Sequence, residues 1–305
     1  MKIAILILSA NTEICDRNKN AIVDTYVNQL FSKEREHEYN VFFYSGDAVD
    51  EYIHHDNKFS SCIRLKAKDD IYNTFEKTID AFKVVYEYND YDYIIRCNIS
   101  AFINVELLDA VMSSATKGFI YCNAINTVIT NIEYLNDIYP RGDFYIIGRD
   151  DVKGVIEKSS VFYGKYNDFV GLDHVDDVLV GMSYMLYKGN SYYDYIKSLI
   201  YNYIPYTMEQ GFDINSISPY AICSRVKTLP PDVSYSGYSW EDNIYRLDDV
   251  KKMHTLSQYT KGLNYERGSI NKLVIPDDKT RHTPVSYITN VNVGVVKSIL
   301  KNKRA

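Results

Sequence analysis

Ile3-Ala4-Ile5-Leu6-Ile7-Leu8 is an unbroken apolar run near the start of the chain, and the mostly polar stretch Ser9–Asp16 follows it. A short run of this kind reads as a buried first strand. It is too short for a membrane span or a usual signal sequence. From about Arg17 to Phe31, Ile22, Tyr26 and Leu30 recur at four-residue spacing, which predicts a helix with one apolar face. Val41-Phe42-Phe43-Tyr44 predicts a second strand, ended by Ser45-Gly46-Asp47. Asp69 or Asp70 is placed to cap the next helix, whose stripe is Ile71, Phe75, Thr78, Phe82 and Val85. Tyr93-Ile94-Ile95 predicts a third strand, Val105–Met112 a helix, and Phe119–Tyr121 and Phe144–Ile147 further strands.

Strands alternating with helices as far as about residue 125 predict an α/β fold of βαβ units around a mainly parallel sheet. Ligands of such sheets bind at the carboxyl ends of the strands, so the loops after Leu8, Tyr44 and Ile95 should border one cleft. Beyond Tyr187 the pattern weakens. Tyr192–Tyr203 predicts a helix, and Pro219–Lys252, with Pro230-Pro231 and several Ser and Gly, predicts an irregular loop. There is no internal repeat, and no linker that would divide independent domains.

Composition narrows the function classes. The 305 residues are 46% hydrophobic and 24% charged, enough for one large folded domain. The net charge is −6, and the longest basic stretch is Lys301-Asn302-Lys303-Arg304, which argues against nucleic acid as a partner. Five cysteines (Cys15, Cys62, Cys97, Cys122, Cys223) form no CxxC pair and fit free thiols in a reducing, cytoplasmic compartment. Thirty tyrosines stand against a single Trp. Two readings are open: the bias of an AT-rich genome, or flat rings and hydroxyls suited to a sugar site.

Asp176-Asp177-Val178-Leu179-Val180-Gly181 follows the loop Gly171–Val175 and opens an apolar helix through Met182, Met185 and Leu186. Paired carboxylates at a helix start serve either as a cap or as a general base, and the hexapeptide taken alone favours the cap. His54-His55 reads as surface. A glycine-rich phosphate loop, a Ser-His-Asp signal and zinc spacing are all missing from the sequence.

Several segments together resemble the β-1,3-glycosyltransferase family (the galactosyltransferase and fringe group). Ile5–Ser9 with Arg17 and Ala21–Tyr26 is similar to its opening strand and helix, and Phe42–Asp47 to its second strand. Asp70-x-Tyr72 with Glu76-Lys77-Thr78 resembles a later helix, and Tyr93–Asn104 the strand that ends in the family's Asp-x-Asp. Tyr139-Pro140 with Gly142–Tyr145, and Val175–Gly181, complete the order. The resemblance covers roughly the first 185 residues. It implies a GT-A fold, Rossmann-like with helices flanking the sheet, over residues 1–305: a nucleotide-sugar half (1–125), an acceptor and catalytic half (126–255), and an irregular C-terminal extension (256–305). It also implies inverting transfer of a sugar from a UDP-linked donor to a carbohydrate hydroxyl.

By the same resemblance, Asp177 is the base and Asp176 its capping or acceptor-orienting neighbour. Arg17 and Lys77 would meet the diphosphate, Asp47 the uridine or ribose, and Ser9 the nucleotide. For Arg17 or Lys77 taken alone, a solvated surface charge is the competing reading, and for Asp47 a turn. The family's Asp-x-Asp, which holds Mn²⁺ or Mg²⁺, reads Asn98-Ile99-Ser100 here. Neutral Asn and Ser are weaker ligands for a hard cation. Ser100 with His254 is the remaining candidate metal pair, against a strand-end turn and a lone surface His. Two alternatives stay open: a pseudoenzyme that binds nucleotide sugar without turnover, and a nucleotidyltransferase, which normally needs a basic loop after the first strand. The lack of a membrane stem suggests a cytoplasmic enzyme of bacterial or viral origin. Val291, Val295, Val296 and Leu300, followed by Lys301, Lys303 and Arg304, could form an amphipathic end that docks on the body or touches an anionic membrane.

Overall fold

β1 (Lys2–Leu8) is an interior strand of a ten-stranded sheet. The structure, a computed structural model, describes residues 1–70, 72–129, 136–164, 175–189, 194–206, 217–228, 247–263, 274–275 and 285–288. The helix after β1 starts at Glu13, earlier than the spacing predicts, because Thr12 Oγ1 accepts the Cys15 N–H at 3.3 Å and caps it. It runs as α1 (Glu13–Ile22), a π turn (Val23–Val27) and α2 (Asn28–Phe31). Then come β2 (Glu38–Ser45), the hairpin β3 (Tyr52–His55) and β4 (Ser60–Arg64), α3 (Thr74–Tyr88) and β5 (Tyr93–Asn98). β6 (Ala101–Ile103), α4 (Val105–Met112), β7 (Ile120–Ile129), β8 (Asn136–Gly148), α5 (Arg149–Ser159) and α6 (Val175–Lys188) follow.

β5, β1, β2 and β4 lie side by side and parallel, with Ile5 opposite Ile95 on one side and Val41 on the other. β8 enters antiparallel between β5 and β7, so the mainly parallel sheet has an antiparallel insertion at its centre. Side chains of β1 alternate between two cores. Ala4, Leu6 and Leu8 pack with Phe75 and Phe82 of α3, Val152 of α5 and Met182 of α6. Ile3, Ile5 and Ile7 pack with Cys15, Tyr26, Leu107 of α4 and Met253. Burial on both faces explains why β1 is apolar throughout instead of alternating.

Two expectations for the last third are corrected. Tyr192–Tyr203 does not form a helix where it is described: β9 (Ile196–Leu199) and β10 (Tyr201–Tyr206) are strands. Aromatic and β-branched residues crowd this segment, and they favour a pleated surface. The stretch Pro219–Lys252 contains β11 (Cys223–Thr228) and the start of α7 (Leu247–Lys261). β10, β11 and β6 form a second, three-stranded sheet directly after the end of β5. β12 (Val274–Ile275) and β13 (Val285–Ile288) extend the large sheet, so part of the C-terminal extension is regular. Ile71 and the amphipathic C-terminal stretch from Val291 to Arg304 lie outside the described residues. Among the described residues, no helix is long and apolar enough to cross a membrane.

Candidate functional site

The parallel strands β1, β2, β4 and β5 end together, and two groups of polar side chains meet at their carboxyl ends. The first braces three loops. Asp69, beyond β4, accepts from the backbone N–H of Gly46 at 3.1 Å and of Asn11 at 2.5 Å. Asn11 Nδ2 donates to Gly46 O at 3.1 Å, and Arg64 donates to Ser45 Oγ at 2.7 Å and to Asn11 Oδ1. Lys77 of α3 closes the group with its ammonium 2.9 Å from Asp69, both side chains nearly without solvent contact. Burial alone would raise the Asp69 pKa, but the Lys77 charge and the N–H donors outweigh it and hold the carboxyl below its ordinary value. Ser9 is buried, its N–H bound to Tyr44 O at 2.9 Å. Asp47 is exposed with φ of 59°, the left-handed conformation that Asp tolerates in turns.

The second group is acidic and is organised around Arg96. This residue lies in β5 with 1% of its surface exposed, on the face covered by α3 and α6. Its Nη2 donates to Asp176 Oδ2 at 2.8 Å and its Nε to Tyr44 Oη at 3.3 Å, and Tyr44 Oη is 3.0 Å from Thr78 Oγ1. A buried polar chain thus runs from α3 through β2 and β5 to the first turn of α6. Burial opposes the Arg96 charge, but Tyr44, Asp176 and further acids more than offset it and push the pKa up, so Arg96 remains a cation. Asp177, also in the first turn of α6, is 6% exposed and accepts a hydrogen bond from the Gly142 N–H of β8. Burial and the neighbouring Asp176 charge raise its pKa well above the ordinary carboxylate value, against the opposing pull of Arg96 and the Gly142 N–H.

The register that pairs Cys97 with Phe144 brings Asp143 beside the end of β5, where Asn98 Nδ2 donates to its Oδ1 at 3.2 Å. Arg141 Nε lies 3.6 Å from the other Asp143 oxygen.

Asp176, Asp177 and Asn98 therefore converge on one end of β5, while Ser9, Asp47 and Lys77 sit in or beneath the neighbouring loops. Arg17 stands apart, exposed on α1 and paired with Glu13 at 2.6 Å. His254 is exposed on α7, and Ser100 is half-buried in the turn before β6. The Asn98, Ser100 and His254 set does not fit a carboxylate-clamped cation: the Asn98 amide is turned to Asp143, and Asp143 is also engaged by Arg141. Among the described residues, the one trio of His, Cys, Asp or Glu ligand atoms close enough to share a metal is His54, Asp56 and Cys62, on the β3–β4 hairpin.

Arg96, Asp143 and Asp69 join the site without a role that their sequence pattern assigns. Arg96 carries a usable signal, since an arginine within Tyr93-Ile94-Ile95-Arg96-Cys97 must be paired if the strand is buried. The pairing of Asp143 with Asn98 has no local signal.

No protein-family model matches the chain, and no curated protein matches it. Among solved structures it is similar to the crystal structure of a glycosyltransferase involved in glycosylation of the major capsid of PBCV-1. The identity is 6%, over 84% of this chain and 100% of that chain, with a TM-score of 0.44.

Proposed function

We propose that this chain is an inverting glycosyltransferase of GT-A type that moves a sugar from a UDP-linked donor to a carbohydrate hydroxyl. The observation that carries the reading is Asp177: a carboxyl held by the Gly142 N–H at the carboxyl end of β5, with its pKa raised by burial and by Asp176. A base works best when its pKa approaches the working pH, and both effects move Asp177 that way. In the proposed step the acceptor oxygen attacks the anomeric carbon and passes its proton to Asp177, while the bond to the diphosphate breaks on the opposite face of the sugar. Arg96 fixes Asp176, which orients the acceptor. The donor nucleotide would lie over the loops carrying Ser9, Asn11 and Asp47. Lys77, neutralised by Asp69, serves to brace those loops in this reading, and Arg17 would reach phosphate only after leaving Glu13. Donor binding would not depend on a carboxylate-held metal. All five cysteines are free and buried, in keeping with a reducing cytoplasm.

A pseudoenzyme is the second reading, and one observation favours it: Asn98 and Ser100 put no carboxylate at the end of β5, and the Asn98 amide is turned to Asp143. Transfer and hydrolysis of UDP-sugars by the wild-type protein and by Asp177→Asn separate the two. Turnover by the wild type that is lost in the variant, with donor binding kept, supports the enzyme. Donor binding without turnover in either protein supports the pseudoenzyme.

A further inference from the structure

The β3–β4 hairpin carries a group of side chains unrelated to the acidic cluster. His54 and Cys62 are direct cross-strand partners, so their side chains leave the same face of the sheet a few ångströms apart. Asp56 is the first residue past β3, its N–H bonded to Ser60 O at 3.2 Å across the turn. One ligand atom from each of the three lies within 4.8 Å of the other two. The face is the one covered by α1, and Cys62 belongs to the core on that side. β3 runs back from Tyr52, beside Arg64, to His55, beside Ser61, so the turn points away from the carboxyl ends of the parallel strands.

Two further observations point to a cation. A cation already stands among these groups: the Lys19 ammonium of α1 is 2.7 Å from Asp56 Oδ2 and donates to Cys62 Sγ at 3.0 Å. The His54 Nδ1 atom is buried with no hydrogen-bond partner, which is costly for a ring nitrogen unless something binds it. Lys19 answers the charge of Asp56 and the sulfur, but no hydrogen bond from its ammonium reaches His54 Nδ1.

We propose that His54, Asp56 and Cys62 form a binding site for a borderline transition-metal cation of the zinc type, with Lys19 as a built-in competitor that holds the site when the metal is scarce. Imidazole, carboxylate and thiolate are the ligands Zn²⁺ takes, and three of them leave a fourth tetrahedral position for water. A hard cation such as Mg²⁺ would not choose this set. On binding, Cys62 gives up its thiol proton to solvent and the flexible Lys19 side chain swings outward. The metal would then tie the edge hairpin together where Lys19 now ties it to α1.

Co²⁺ titration of the full-length protein tests this without any variant, since tetrahedral thiolate coordination gives a near-ultraviolet sulfur-to-cobalt charge-transfer band and visible d–d bands. The expected result is that both appear and that Zn²⁺ abolishes them while Mg²⁺ does not. Lys19→Met should bind Zn²⁺ at least about fivefold more tightly, because the wild type must first give up its Lys19 ion pair, a contact worth about 1 kcal/mol between unit charges about 4 Å apart in water. Cys62→Ser should lose the charge-transfer band, and circular dichroism reports whether that variant is folded. The proposal is overturned if neither the wild type nor Lys19→Met shows the band, or if a folded Cys62→Ser keeps it.

Discussion

Arg96 Nη2 lies 2.8 Å from Asp176 Oδ2, joining the middle of a buried strand to the first turn of a helix 80 residues later. The pair fixes where α6 begins relative to β5. It also leaves the adjacent Asp177 facing Gly142, with the charge of Asp176 beside it.

Asp177→Asn should reduce transfer by at least about a hundredfold, the range lost with a general base. Donor binding should survive. Asn retains a carbonyl oxygen for the Gly142 N–H, so the fold should be kept. The raised pKa makes a stability prediction with a definite sign. The folded state holds the Asp177 proton more tightly than the unfolded chain, so this contribution is complete below about pH 3.9, the ordinary value, and is lost as pH rises through the folded pKa. Asn does not titrate, so the variant should melt at or above the wild-type temperature at pH 8. That advantage should shrink toward pH 4. Melting curves across this range check it, and a variant less stable at pH 8 than at pH 4, relative to wild type, counts against a raised pKa.

Lys77→Met should destabilise the protein by roughly 3–5 kcal/mol, because it leaves the buried Asp69 charge without its ion partner. Asp69 has a lowered pKa, so the pair's contribution is present above about pH 3.9 and fades as pH falls through the folded value. Urea unfolding at pH 7 and pH 3 should therefore show a large difference between the two proteins at pH 7 and a smaller one at pH 3.

Two glycines should differ in how they tolerate alanine. A Cβ on Gly46 would overlap Ala67 O and come within 2.8 Å of Asp69 N, both backbone atoms. A Cβ on Gly142 would overlap the Asp177 carboxylate and lie 2.6 Å from Arg96 Nη1, both side-chain ends. Gly46→Ala should cost about 3 kcal/mol, the upper end of overpacking, and Gly142→Ala about 1 kcal/mol. Activity should rank the opposite way, with Gly142→Ala losing more because it displaces the proposed base. Parallel unfolding and transfer assays decide.

EDTA should weaken UDP binding only modestly, since Asn98 and Ser100 stand where a carboxylate clamp would need acids. Asn98→Asp should make binding respond to Mn²⁺, because it sets a second carboxylate beside Asp143. Calorimetry with and without Mn²⁺ measures both. Complete loss of wild-type binding in EDTA, restored by Mn²⁺, defeats the expectation.

The sequence was most legible where one local pattern decides the outcome. Val105–Met112 is helical over the predicted residues because its apolar spacing and the Asn104 cap agree. The strand at Ile3–Leu8 is equally plain, since burial on both faces leaves an unbroken apolar run. The hairpin of β3 and β4 has no clear sequence signature because Tyr52–His55 is only half-buried at Ile53 and His54 and carries no apolar alternation. In Tyr192–Tyr203, Tyr and Ile at mixed spacing fit a helix face or a pleat about equally, and pairing with distant β11 and β7 selects the strands. The site shows the same division. The paired acids of α6 are visible in one dimension, whereas the companionship of Asp143 and Asn98 depends on β8 entering antiparallel.

That antiparallel entry also sets an order of events during synthesis. β5 pairs with β1, made some 90 residues earlier, and with β8, which ends at Gly148. Until β8 has emerged, β5 is an edge strand with a free row of backbone donors and acceptors, and its outward sequence is apolar. Nascent chains stalled short of residue 136 should therefore be prone to pair with one another through β5 or to recruit chaperones, whereas chains extended past Gly148 carry the free edge on β7 until β9 pairs with it.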